Sequence, residues 1–167
     1  MKKILLLLII CVTFAGKANA QDQEGIFSVS GNLGYGTEIE SLGIGLRAQY
    51  GFTSNIRGAA EYKYYISRNA TSMWEINADA HYVFGSRDEL VFYPIAGLKF
   101  ARITHDLGRI DIIDTKDKNS DNRIGLNLGF GSQIAIAERL SLQPEVRYEI
   151  MKSYSQFVAM CGITYAF

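Results

Sequence analysis

Cysteine is nearly missing from this chain. Of the two present, Cys11 falls in an apolar leader, which leaves Cys161 without a partner and excludes a disulfide framework. After the leader, no stretch approaches the roughly 18 consecutive apolar residues that mark a membrane helix. There is no surplus of positive charge. Lysine and arginine number 17 against 17 aspartates and glutamates, and no basic stripe is present, so nucleic acid is not an expected partner. Histidine occurs only at 81 and 105, which confines general-base chemistry to two positions.

The ends are informative. Lys2 and Lys3 precede an apolar run over 4–14, and Ala18-Asn19-Ala20 supplies the small-x-small pattern that a signal peptidase reads. The run is too short for a membrane span of about 20 residues. A lipid-modified Cys11 would need a small residue before it, and Ile10 is large. The expectation is a signal peptide over 1–20, cleaved before Gln21, and one domain over 21–167. Without Lys2, Lys3 and Lys17 that domain holds 14 basic and 17 acidic residues.

What the domain does have is alternation. Side chains two apart in a strand share a face, and eight segments place apolar residues on one parity. Phe27, Val29, Gly31, Leu33 and Tyr35 form the first row. Leu42, Ile44, Leu46, Ala48, Tyr50 and Phe52 form the second. Equivalent rows run over 56–66, 74–84, 92–100, 124–136, 140–150 and 157–167. None contains a charged residue. The opposite parity carries Arg47, Arg57, Lys63, Lys99 and Arg147 with Glu61, Glu75, Asp79, Glu145 and Glu149. Helical spacing explains these rows less well.

A soluble β-sandwich or lipocalin-like barrel would alternate too. Three features favour a membrane. Aromatics sit at the ends of the apolar rows and aliphatics in the middle, as two membrane interfaces require. Phe27, Tyr50, Phe52, Tyr82, Phe84, Phe92, Tyr165 and Phe167 mark one level. Tyr35, Tyr62, Tyr64, Trp74, Phe100, Tyr148 and Phe157 mark the other. The opposite parity is rich in glycine, which suits a narrow lumen. Connections alternate between short turns, at 53–55, 85–89 and 138–139, and longer ones, the longest spanning 104–122. The expected fold is a closed eight-stranded antiparallel transmembrane β-barrel, with both termini and the short turns on the periplasmic side. Pro94 and Pro144 fall inside expected strands, where a β-bulge would accommodate each missing donor.

This pattern resembles the small outer-membrane β-barrel family typified by OmpX and the OmpA transmembrane domain, and porin-family proteins of this size from Bacteroidetes-type bacteria. The likeness is carried by Ala18-Asn19-Ala20-Gln21 and Gly31-Asn32-Leu33-Gly34-Tyr35-Gly36. Ser72-Met73-Trp74-Glu75-Ile76-Asn77-Ala78, Tyr93-Pro94-Ile95-Ala96-Gly97-Leu98 and the terminal Ile163-Thr164-Tyr165-Ala166-Phe167 add to it. It covers essentially the whole mature chain and implies architecture more than activity. It implies contact with outer-membrane lipid and lipopolysaccharide, and engagement of the barrel-assembly machinery through the strand ending at Phe167. Outer loops open to an extracellular protein or host surface, and a monomeric state, are also implied.

Candidate chemistry is sparse. The inward charges could line an ion path, but eight strands leave a lumen just wide enough to be filled by side chains. The expected outcome is a neutralising plug that includes Glu61, Lys99, Glu145 and Arg147. Some barrels similar to this one hydrolyse or transfer lipid A acyl chains with a rim histidine. Here His105 has Asp106 beside it and Ser120 in the same connection, while His81 points inward near the periplasmic end, and neither completes a triad. Asp117, Asn119 and Asp121 have calcium-like spacing, but Asn122 and Leu128 stand where an EF-hand has glycine and glutamate. Asn69-Ala70-Thr71 matches a glycosylation sequon without weight here, and Cys161 is read as a small outward apolar residue. No catalytic, cofactor or metal residue is assigned. The functional expectation is a non-enzymatic outer-membrane protein that supports envelope integrity or presents its outer loops for adhesion or partner binding. A narrow solute pore and a lipid A-modifying enzyme are the alternatives.

Overall fold

The computed structural model describes residues 24–68, 71–86, 90–106, 118–152 and 154–167. Nine strands follow in chain order: β1 (Phe27–Gly36), β2 (Ser41–Gly51), β3 (Ile56–Arg68), β4 (Thr71–Tyr82), β5 (Phe84–Ser86), β6 (Leu90–Asp106), β7 (Lys118–Ala137), β8 (Leu140–Met151) and β9 (Tyr154–Ala166). β5 continues β4 past Val83 and pairs with the same neighbour, β6, so the sheet has eight staves. Every pairing is antiparallel between neighbours, and β4–β6 together with β1–β9 closes the ring. The seam is fastened at the chain ends, where the Phe167 amide donates to the Phe27 carbonyl at 3.0 Å.

The alternation read from the sequence is the alternation of the barrel wall. In β1 and β8 the burial pattern switches at every residue, with the apolar row outside. Leu46 is 67% exposed, and its neighbour Arg47 is 1% exposed. A soluble fold would bury the leucine and expose the arginine. The inversion satisfies water only if the outer face is covered by hydrocarbon.

Aromatic rings contact one another within two levels. At the terminus-bearing end Phe27 meets Phe167, Tyr165 meets Phe167, Tyr50 meets Phe52 and Phe84 meets Phe92. Phe130 joins this level through Phe92, at 5.9 Å between centroids, an addition to the expected set. At the opposite level Tyr62 stacks on Trp74, Trp74 meets Phe100, and Tyr148 meets Phe157.

Three expectations need correction. The prolines carry no bulge. Tyr82 and Val83, opposite Pro94 and Tyr93, drop out of the ladder with register unchanged on either side, and the Val83 amide donates to the Asn55 carbonyl at 2.7 Å instead. Opposite Pro144, the β7–β8 ladder likewise skips from Gly131↔Glu145 to Ile134↔Leu142 without a shift. Each proline therefore faces a gap where no donor is required. The bulges lie elsewhere, at Tyr65/Arg68 and Ala135/Ala137. Second, part of the expected turn at 85–89 is strand, since Gly85 pairs with Val91. Its φ of +121° is open to glycine and strained for other residues. Third, both ends of the expected connection over 104–122 are ladder. β6 and β7 run on in register through Thr104↔Ser120 and His105↔Asn119 to Asp106↔Lys118. Only 107–117, with Ile110, Ile112, Ile113 and Asp117, lies outside the described residues.

Placing charge on the outer face tests its environment. Leu46→Arg, midway along its strand, is expected to destabilise the barrel by about 2–4 kcal/mol in urea unfolding from lipid vesicles. A change within about 0.5 kcal/mol, as at an ordinary wet surface, would mean that this face does not meet lipid.

Candidate functional site: the plugged lumen and its raised rim

The lumen is filled by side chains from the inward parity, and strand register stacks them in layers. Arg47 lies opposite Glu61 across β2–β3, and Lys63 opposite Glu75 across β3–β4. In the central layer Arg47 grips Glu145 across the barrel with two parallel bonds, Nη1–Oε1 at 2.5 Å and Nη2–Oε2 at 2.9 Å. Arg147 donates from Nη2 to Glu145 at 2.8 Å and from Nη1 to Asp79 at 2.7 Å, with Glu61 at 3.3 Å. Amide side chains fill the remaining sites. Asn32 donates to Glu61 at 2.6 Å, and Asn127 donates to both Asn77 and Asp79 at 3.0 Å.

The next layer belongs to lysines. Lys63 lies 2.8 Å from Glu75 and 3.6 Å from Glu149, and Lys99 bridges Glu75 at 2.5 Å and also pairs with Glu149. Gln156 completes it with a 2.7 Å bond to Glu149. Beyond the lysines, Tyr65, Met73, Ala101, Ile103 and Met151 form an apolar cap, with Ile39 and Tyr154 packed against it. All side chains in these lumen ion pairs are at most 1% exposed.

Glycine makes room for this packing. Opposite Tyr93 in the ladder, a Cβ on Gly131 would stand 2.6 Å from the Tyr93 ring and 2.8 Å from the Glu145 stem. Gly97 faces Asp79, and a Cβ there would strike the carboxylate that holds Arg147.

The four residues expected in the plug, Glu61, Lys99, Glu145 and Arg147, are all in it. The sequence placed the other inward charges on the same face but did not indicate their cross-lumen partners. His81 is inward, as expected. Its Nδ1 receives Arg57 at 3.2–3.3 Å and its ring stacks on Tyr93 at 4.9 Å, so the lone pair that a general base would use is occupied. His105 lies within β6, paired with Thr71 and Asn119, rather than opening a loop. Asn119, Ser120 and Asp121 lie on β7, where an extended backbone does not wrap around a cation as a binding loop does. Among the described residues there is no cluster of three acidic, histidine or cysteine side chains arranged to hold a metal. Cys161 is outward and exposed.

The rim is uneven. β1 has 10 residues, whereas β6 has 17 and β7 has 20. At about 3.3 Å per residue and a tilt of about 40°, β1 covers roughly 25 Å, the height of the apolar band, while β6 reaches roughly 43 Å. Among the described residues β7 gains a β8 partner only from Gly125, opposite Met151. Its first seven residues are therefore laddered to β6 alone. Arg123 braces the base of this edge by donating to the Lys152 carbonyl at 3.0 Å.

A closed barrel with an apolar exterior, aromatic belts and a neutralised interior defines a small transmembrane β-barrel protein. The chain belongs to the outer membrane protein beta-barrel domain family, whose model matches residues 4–167. Family and fold together make it a bacterial outer-membrane protein. It is similar to the N-terminal barrel domain of Pseudomonas aeruginosa OprF, at 18% identity and a TM-score of 0.72 over 88% of this chain and 100% of that one. Neisserial surface protein A is similar at 19% identity and 0.67, over 85% and 96%. Ail, the attachment invasion locus protein of Yersinia pestis, is similar at 16% and 0.62, over 86% and 99%, and has also been solved with the heparin analogue sucrose octasulfate. At these identities the likeness is one of fold. No curated protein matches the chain.

The plug predicts asymmetric costs for removing cations. Arg147→Ala leaves Asp79 without a cation among the described residues and Glu145 with Arg47 alone, and is expected to cost about 3–5 kcal/mol in vesicle unfolding. Arg123→Ala, which breaks a half-exposed pair with Asp121, is expected to cost about 0–1 kcal/mol. Equal effects would show that the lumen is hydrated enough to screen its charges.

Proposed function

We propose that this protein is a non-enzymatic outer-membrane component that presents its raised β6–β7 strand pair and the segment joining it to an extracellular partner, while the plugged barrel anchors it. The observation that carries this reading is the edge of β7 over 118–124, which among the described residues has no ladder partner on its β8 side, stands above the apolar band and offers backbone groups to an extended chain. Its chemistry narrows the partner. From His105 to Asp121 there are five aspartates against Arg109, Lys116 and Lys118, so the complement is a basic or neutral extended polypeptide. The sulfated analogue found with Ail is the opposite kind of ligand.

The rest of the reading follows from outer-membrane residence. Residues 1–20 serve as the export signal, cleavage precedes Gln21, and both ends of the mature chain lie in the periplasm. The β9 strand ending at Phe167 is what the assembly machinery recognises, the outer leaflet's lipopolysaccharide surrounds the raised rim, and the barrel acts as a monomer. The continuous ion-pair layers and the apolar cap favour an anchor over a pore.

A strain lacking the protein, complemented with the full chain or with a chain whose 107–117 is replaced by a short glycine–serine turn, separates display from anchoring. The replaced chain is expected to insert normally and to lose attachment to surfaces coated with extracellular-matrix proteins. Undiminished attachment by the replaced chain would contradict the display role.

A further inference from the structure

The terminus-bearing mouth of the barrel differs electrostatically from the layers above it. Each of the five inward carboxylates lies within ion-pair distance of Arg47, Lys63, Lys99 or Arg147. Arg57, the fifth inward cation, has no carboxylate within that distance among the described residues. It sits below a bridge of amides in which Gln49 donates to Gln143 at 2.9 Å and Gln143 donates to Gln133 at 2.9 Å. Tyr93 covers its upper side, with the guanidinium carbon 4.7 Å from the ring centroid.

An arginine carries five N–H donors. Three of Arg57's are taken, by His81 Nδ1 from Nε and Nη2 and by Gln133 Oε1 from Nη1 at 2.7 Å. Tyr93 engages a fourth, and one remains. The guanidinium borders a cavity of about 80 Å³ that opens at this end and is lined also by Ser28, Gln133, Ser141 and Thr164. Thr164 is 3% exposed, and its Oγ1 has no hydrogen-bond partner. A desolvated cation with a spare donor and an unpartnered buried hydroxyl thus border one small polar chamber. At roughly 30 Å³ per water, the chamber holds two or three water-sized particles. Among the described residues no anionic side chain lines it.

We infer that this chamber is a binding site for a small inorganic anion, held by Arg57 and Thr164, with the Ser28 and Ser141 hydroxyls on its wall. Arg57 supplies the charge and its remaining N–H, and the Thr164 and Ser141 hydroxyls donate in addition. The anion adds an adjacent counter-charge, since strand register sets Gly51 and His81 beside Arg57 and Glu145 acts on it only from beyond ion-pair distance. This differs from the extracellular role proposed above, because the site lies at the other end of the barrel and is sealed from the rim by the ion-pair layers.

Chloride is the probe. The folded chain in detergent micelles is titrated with sodium chloride, with ionic strength held constant by gluconate, which is too large for the chamber. The Arg57 Nε–H and Thr164 amide resonances are followed by NMR. The expected result is a saturable shift of both with chloride and none with gluconate. Thr164→Val, which keeps shape and removes the hydroxyl, is expected to weaken binding about fivefold, and Arg57→Gln to abolish it. A linear shift that never saturates would overturn the inference. Unchanged chloride affinity in Thr164→Val would overturn it as well, even if Arg57→Gln fails to fold.

Discussion

In hydrocarbon no water is available to a backbone amide or carbonyl, so every such group in the wall must find its partner in a neighbouring strand. A flat sheet cannot meet that requirement, because its two outermost strands each keep an unpaired edge. Here β1, the first strand, pairs with β9, the last, along nearly its full length, and β4 with β5 meets β6 on the far side. The two prolines show how far the constraint reaches. Each sits opposite a stretch that the ladder skips, and one amide freed there, that of Val83, is taken up by the turn carbonyl of Asn55. Where β7 has no second partner among the described residues, it stands above the height that β1 spans.

Closure at eight strands then fixes what the interior can be. The lumen is too narrow for bulk water, so its charges must neutralise one another side chain by side chain. Register makes this possible by setting Arg47 beside Glu61 and Lys63 beside Glu75, and the curvature of the wall brings Glu145 and Arg147 across to meet them. Buried ion pairs add little net stability compared with apolar packing, but each missing partner is costly. The network therefore acts as a selector of one register and one barrel closure. A one-residue slip would turn Arg47 and Glu61 toward lipid and Leu46 and Tyr62 toward the lumen.

The sequence disclosed those parts of the structure that face two different solvents. Rows such as Leu42, Ile44, Leu46 or Phe157, Ala159, Cys161 are legible because lipid on one side and a polar lumen on the other force period two. Where β6 and β7 rise beyond the band both faces meet water, the pattern fades across Lys118-Asn119-Ser120-Asp121-Asn122, and a strand reads as a loop. The members of the plug were legible from parity, but not their pairing, since Arg47 and Glu145 are far apart in the chain and meet only through closure. The isolation of Arg57 was hidden for the same reason. It depends on which layer each strand offset assigns to a charge, and parity says nothing about layers.

The central claim, that the charge-free rows clothe a closed barrel embedded in the outer membrane, is tested most directly by gel mobility of the outer-membrane fraction in sodium dodecyl sulfate, boiled against unboiled. With no open edge within the membrane for detergent to enter, the unboiled chain should remain folded and migrate apart from the boiled form. A single band at one mobility, recovered from a soluble fraction, would mean that the apolar rows enclose a core and that the barrel is not the membrane-spanning one described.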